Sequence, residues 1–128
     1  MTEKTTILLV DDDLDFLESQ KQLLVAAGYD VHTACTGKEG VEKAKSLHPH
    51  LILLDVMMNT QTEGFAANQE IRSTPELSDI PVIMLSGINT ELDLPHRFDV
   101  AEGWPCVAFI EKPVLPEILL AKVREYAR

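Results

Sequence analysis

Ile7-Leu8-Leu9-Val10-Asp11-Asp12-Asp13 sets a four-residue apolar run directly against three successive carboxylates. A buried strand seldom ends that way without a cation to hold, because adjacent carboxylates repel one another. Working outward, Leu51-Ile52-Leu53-Leu54 ends on Asp55, and Pro81-Val82-Ile83-Met84-Leu85 ends on Ser86-Gly87. Val107-Ala108-Phe109-Ile110 leads through Glu111 to Lys112-Pro113. Each run is short, rich in Val, Ile or Leu, and not alternating, which suits strands covered on both faces of a parallel sheet. Ligands of such sheets gather beyond the carboxyl ends of the strands. Asp11, Asp12, Asp55, Ser86 and Lys112 are therefore expected to converge on one crevice.

The segments between the runs read as helices. The first is expected over about Leu14 to Ala27, with Phe16, Leu17 and Leu24 among its apolar positions and Gly28 as its stop. Tyr29 to Thr33 alternates more and suits an edge strand. Lys38 to Leu47 is helical, with Val41 and Ala44 facing inward and Pro49 closing it off. A third helix runs from about Gly64 or Phe65 to Arg72. Asn89 to Pro105 holds Pro95, Gly103, Trp104 and Pro105, so a helix there is short or broken. The last helix begins near Pro116, with Ile118, Leu119, Val123 and Tyr126 as its apolar face. Strand and helix alternate five times, predicting a doubly wound α/β sandwich with helices on both faces and right-handed crossovers.

At 128 residues the chain is expected to be one domain over 1–128. Cys35 and Cys106 are far apart and show no metal-ligand spacing, so both read as reduced thiols of a cytoplasmic protein. The amino terminus runs straight into the first strand, so no targeting segment is expected. No apolar run approaches the ~20 residues of a membrane span. The formal charge of -10 disfavours nucleic acid and anionic lipid and suits a divalent cation or a basic partner surface.

Two carboxylates ~4 Å apart repel by about 4 kcal/mol at an effective dielectric of 20. A small hard cation relieves this, and magnesium typically takes one or two carboxylates plus waters and a phosphate. Asp55 is then a candidate nucleophile able to accept a phosphoryl group as an acyl phosphate. Lys112 offers a point charge and Ser86 a hydroxyl donor to phosphoryl oxygens. Singly, an Asp at a strand end, a Lys or a Ser-Gly pair is a cap, a solvated charge or a turn. The ordered combination carries the reading.

Nearly the whole chain resembles a receiver domain of a two-component response regulator. The resemblance implies a flavodoxin-like, five-stranded parallel sheet in the order 2-1-3-4-5, here with an irregular fourth helix region. It implies that Asp55 accepts a phosphoryl group from a sensor histidine kinase or phosphotransfer protein, and that the change of state is passed to a downstream protein target. Asp12 is expected to bind Mg2+ directly and Asp11 mainly through water, with Asp55 and the Met57 backbone carbonyl completing the protein ligands. Ser86 and Lys112-Pro113 fall at the family's hydroxyl and lysine positions, the latter with a cis peptide bond, and Phe109 at its switch aromatic. Such a module promotes its own phosphorylation and dephosphorylation without being a dedicated enzyme. A monomer or weak dimer is expected, with no membrane association. Residues 1–128 are not expected to carry a DNA-binding segment, so no nucleic-acid contact is expected from this chain.

The chain also departs from the family pattern. Met58 is followed by Asn59 where proline is usual, and Gly64 comes one residue late, so the loop Asn59 to Glu63 is expected to take its own shape. Met57 and Ile88 are apolar where side chains tune the lifetime of the phosphoryl group, which predicts a long-lived phosphoaspartate. An EF-hand reading of Asp11, Asp13 and Asp15 fails because Phe16 and Gln22 stand where glycine and glutamate are needed. Gly37-Lys38 lacks the rest of a P-loop. An aspartate-nucleophile phosphatase wants a second acid at the position of Met57. The remaining alternative is a pseudo-receiver, a phosphorylation-independent protein-interaction module on the same fold.

Overall fold

A computed structural model describes residues 4–55, 63–86, 108–111 and 114–127; the side chains of 63–65, 86, 108, 109 and 111 are outside that description. The element order is β1 (Thr6–Val10), α1 (Leu14–Ala26), β2 (Asp30–Ala34), α2 (Gly37–Leu47), β3 (Leu51–Asp55), α3 (Glu63–Ser73), β4 (Val82–Ser86), β5 (Ala108–Glu111) and a final helix, α4 (Pro116–Tyr126). The strands form one sheet in the order β2-β1-β3-β4-β5, and every neighbouring pair is parallel. This is the doubly wound architecture that the strand runs predict. The span between β4 and β5, where an irregular helix is expected, lies outside the described residues.

The absence of alternation in β1, β3 and β4 has a direct cause, since each of these strands buries residues on both faces. Leu8, Val10, Ile52, Leu54, Val82 and Met84 pack against Val41 and Ala44 of α2, Ala67 and Ile71 of α3, and Leu77. Ile7, Leu9, Leu51, Leu53, Ile83 and Leu85 pack on the opposite side with Leu17 and Leu24 of α1 and Leu119 and Val123 of α4. Successive side chains of a strand point to opposite faces, so a sheet covered twice needs apolar residues at every position.

Local signals end the elements. Gly28 takes φ +102 after α1. Its N–H donates to the Val25 carbonyl (3.0 Å), and that of Tyr29 to the Leu24 carbonyl (3.1 Å). These two bonds are a Schellman closure, which glycine permits because it has no Cβ to clash. They also correct the second strand: Tyr29 belongs to the helix cap, so β2 starts at Asp30. His48 closes α2 in the left-handed conformation (φ 48), immediately before Pro49. Glu63, expected in the preceding loop, is the first residue of α3.

In α4, Pro116 sits in the first turn, where its missing N–H costs no helix bond. Ile118 departs from expectation, being 44% exposed. The buried stripe of this segment is Leu119, Val123 and Ala127, four residues apart, and Ile118 lies beside it. A Cβ at Gly40 would stand 2.8 Å from Val10 Cγ2, so the absence of a side chain lets α2 settle onto the end of β1.

Candidate functional site

Parallel pairing brings the acidic residues together. Val10 is in register with Leu54 across the β1–β3 pair, so Asp11 and Asp55 follow side by side at the carboxyl edge of the sheet. One carboxylate oxygen from each of Asp11, Asp12 and Asp55 lies within 4.8 Å of the others. Asp11 and Asp55 are buried and Asp12 is exposed. The cluster thus has a fixed floor and a solvent-facing rim.

The connection from β1 to α1 consists of Asp11, Asp12 and Asp13 alone. The Asp11 N–H donates to the Ala34 carbonyl of β2 (3.1 Å), extending the strand pairing by one residue. Asp11 Oδ1 accepts from the Asp13 N–H (2.9 Å). Asp13 is the N-cap of α1, its Oδ1 accepting from the Phe16 N–H (3.2 Å). The positive end of the helix dipole therefore adjoins the carboxylates and offsets part of their repulsion.

The next strand-to-helix turn uses similar parts differently. Thr36 caps α2 through Oγ1, which accepts from the Glu39 N–H (3.0 Å). Glu39 reaches back past the cap, its Oε1 accepting from the Cys35 N–H (3.0 Å) and the Cys35 thiol (3.4 Å). Lys43 Nζ stands 3.3 Å from Glu39 Oε2 and donates to the Thr33 carbonyl. The Cys35 N–H holds the Glu39 carboxyl below its ordinary range, and Lys43 adds to this. The hydrogen bond to Glu39, followed by its negative charge, pushes the Cys35 thiol up. This carboxylate serves the turn.

Three of the expected site residues, Asp11, Asp12 and Asp55, are thus brought together. Ser86 ends β4, with Leu85 in register with Asp55, so its backbone is at the same edge one strand away. Phe109 lies within β5, opposite Met84. Met57, Ile88 and Lys112 lie outside the described residues, as does the 112–113 peptide bond. Sequence reasoning missed the capping role of Asp13, which an Asp before an amphipathic helix signals. It also missed Thr36-x-x-Glu39, a spacing that marks a helix start.

A cavity of about 380 Å³ between α2 and α3 is lined by Lys38, Val41, Glu42, Lys45, Ala67 and Glu70, among others. Among the described residues, none of the predicted site residues lines it. Among the described residues, no helix is long and apolar enough to cross a membrane.

Residues 7–124 match the family model for the response regulator receiver domain. Among curated proteins, the chain is 35% identical over 122 residues to the DNA-binding dual master transcriptional regulator RpaA of Synechocystis sp., covering 95% of this chain and 48% of that protein. The chain spans about half the length of the first curated relatives it matches. Among solved structures, chemotaxis protein CheY4 of Vibrio cholerae superposes with a TM-score of 0.85 at 27% identity, covering 97% of this chain and 99% of that one. A CheY-like response regulator receiver domain protein from Methanospirillum hungatei gives 0.81 at 32% identity, covering 96% and 93%. With its sheet order, its acidic cluster and these matches together, the chain belongs to the response regulator receiver domain family, as a phosphoacceptor module of histidine-kinase signalling.

Proposed function

We propose that Asp55 is the phosphoacceptor and that Asp11 and Asp12 hold Mg2+ beside it. The observation that carries this is the convergence of three carboxylates from two adjacent parallel strand ends to within 4.8 Å. Oxygen donors at that separation suit a hard divalent cation bound directly or through water. When bound, Mg2+ supplies positive charge to the phosphoryl oxygens. Asp12 and the Met57 carbonyl are assigned as direct ligands and Asp11 as a ligand mainly through water.

In the transfer, an Asp55 carboxylate oxygen attacks phosphorus, the bond from phosphorus to the donor's imidazole nitrogen breaks, and that nitrogen leaves with the electron pair. Burial of Asp55 keeps bulk water from its carboxylate. Ser86 donates a hydrogen bond to one phosphoryl oxygen, and Lys112 pairs with another. Movement of Ser86 toward the phosphoryl group, with Phe109 turning inward, biases a pre-existing equilibrium that a downstream protein target reads. The phosphodonor is a sensor histidine kinase or phosphotransfer protein. Residues 1–128 act as one domain, as a monomer or weak dimer, in the cytoplasm, without contacting nucleic acid or membrane. Met57 and Ile88 restrict water and prolong the life of the phosphoaspartate; loss of the phosphoryl group within seconds would overturn that assignment.

Intact-mass measurement after incubation with acetyl phosphate tests the central claim. One added phosphoryl group is expected only with Mg2+ present and only while Asp55 is intact, so Asp55→Asn stays unmodified. Absence of modification together with absence of Mg2+ binding would instead identify a pseudo-receiver.

A further inference from the structure

We propose that Asp13 is a positioning residue for the carboxylate cluster: its capping of α1 fixes the turn that carries Asp11 and Asp12, so cation affinity depends on the cap and not on the charge of Asp13. The inference rests on reading the cluster as a cation site. Three residues span the whole distance from Val10, the last residue of β1, to Leu14, the first of α1. A connection that short has no slack in which to absorb a change at its helical end.

Asp13 makes a separate contact with each of its three polar groups. Its side-chain Oδ1 accepts from the Phe16 N–H (3.2 Å), its carbonyl accepts from the Leu17 N–H (2.9 Å), and its own N–H donates to Asp11 Oδ1 (2.9 Å). The first two bonds hold Asp13 at the helix start in an extended conformation, φ -90 and ψ 104. The third passes that orientation to the buried carboxylate of Asp11. The carboxylate of Asp13 itself is directed at the first turn of α1 and stands outside the group formed by Asp11, Asp12 and Asp55. Its contribution is therefore geometric.

A cap-competent replacement must then preserve cation binding, and a replacement unable to cap must weaken it. Calorimetric titration with Mg2+ of the wild-type chain, Asp13→Asn and Asp13→Ala, well below their melting temperatures, separates the possibilities. Asp13→Ala is expected to weaken binding about fivefold, the equivalent of one lost N-cap, while Asp13→Asn stays within about twofold of wild type. Asp13→Ala with wild-type affinity and only a lower melting temperature would show a merely structural cap and overturn the proposal. Equal weakening in both variants would assign the effect to charge and overturn it as well. If wild type binds no Mg2+, the cation reading itself fails and this proposal falls with it; wild-type binding with either of the other outcomes removes only the positioning role.

Discussion

The β1–α1 and β2–α2 turns lie side by side at the carboxyl edge of the sheet, tied together by the bond from the Asp11 N–H to the Ala34 carbonyl. Both enter a helix through a side-chain cap, Asp13 in one and Thr36 in the other. Their carboxylates serve different ends. Glu39 is committed to the Cys35 N–H and to Lys43, whereas Asp11 and Asp12 are gathered with Asp55 from the neighbouring strand. One capping architecture thus produces a structural acid and a cluster suited to a cation, and the difference comes from what the adjoining strand delivers.

The sharpest break between the two turns is expected in cation affinity. On the proposed cation site, Asp12→Asn should raise the Kd for Mg2+ by at least about tenfold, since an exposed carboxylate of the cluster is lost, and Glu39→Gln should leave it within about twofold. Equal losses on calorimetric titration would erase the distinction. Stability should show the opposite dependence. Gly40→Ala pushes a methyl group against the stiff, buried Val10 side chain and should destabilise by about 1–2 kcal/mol in urea unfolding, overpacking outweighing the better helix propensity of alanine. A neutral or stabilising result would show that α2 can lift from β1 at no cost.

Loss of the second cap should matter somewhat less. Thr36→Ala should cost about 1 kcal/mol, leaving Mg2+ affinity unchanged at temperatures where the chain is folded. The smallest effects are those of protonation. Because the Glu39 carboxyl is held below its ordinary value of 4.5, the stability it contributes is present above that pH and is lost as pH falls through the folded-state value. Glu39→Gln should remove this small acid-dependent increment from the pH profile of unfolding. The same substitution keeps a carbonyl acceptor but removes the negative charge that raises the Cys35 thiol, so alkylation of Cys35 near neutral pH should accelerate. An unchanged rate would place the cause of the raised thiol pKa elsewhere.

Much of this organisation is legible in the residues. The continuous runs at Ile7–Val10, Leu51–Leu54 and Val82–Leu85 announce strands covered on both faces, and the sheet covers them so. Helix boundaries come within one or two residues of expectation because caps such as Gly28 and Pro116 act locally. Ile118 was harder to place, since neighbouring apolar positions on a short helix share a pattern and only packing selects the buried stripe.

Sequence by itself determined the elements, their alternation, and which acidic residues end the strands, because hydrophobic periodicity and capping are properties of a few consecutive residues. Resemblance to the receiver family added the order of the strands. The convergence of Asp11, Asp12 and Asp55 was legible in the strand ends, but tertiary structure alone decided that they meet within 4.8 Å and that Glu39 serves Cys35. A carboxylate's role depends on what lies within a few ångströms of it, and for Asp55 those neighbours are more than forty residues away along the chain.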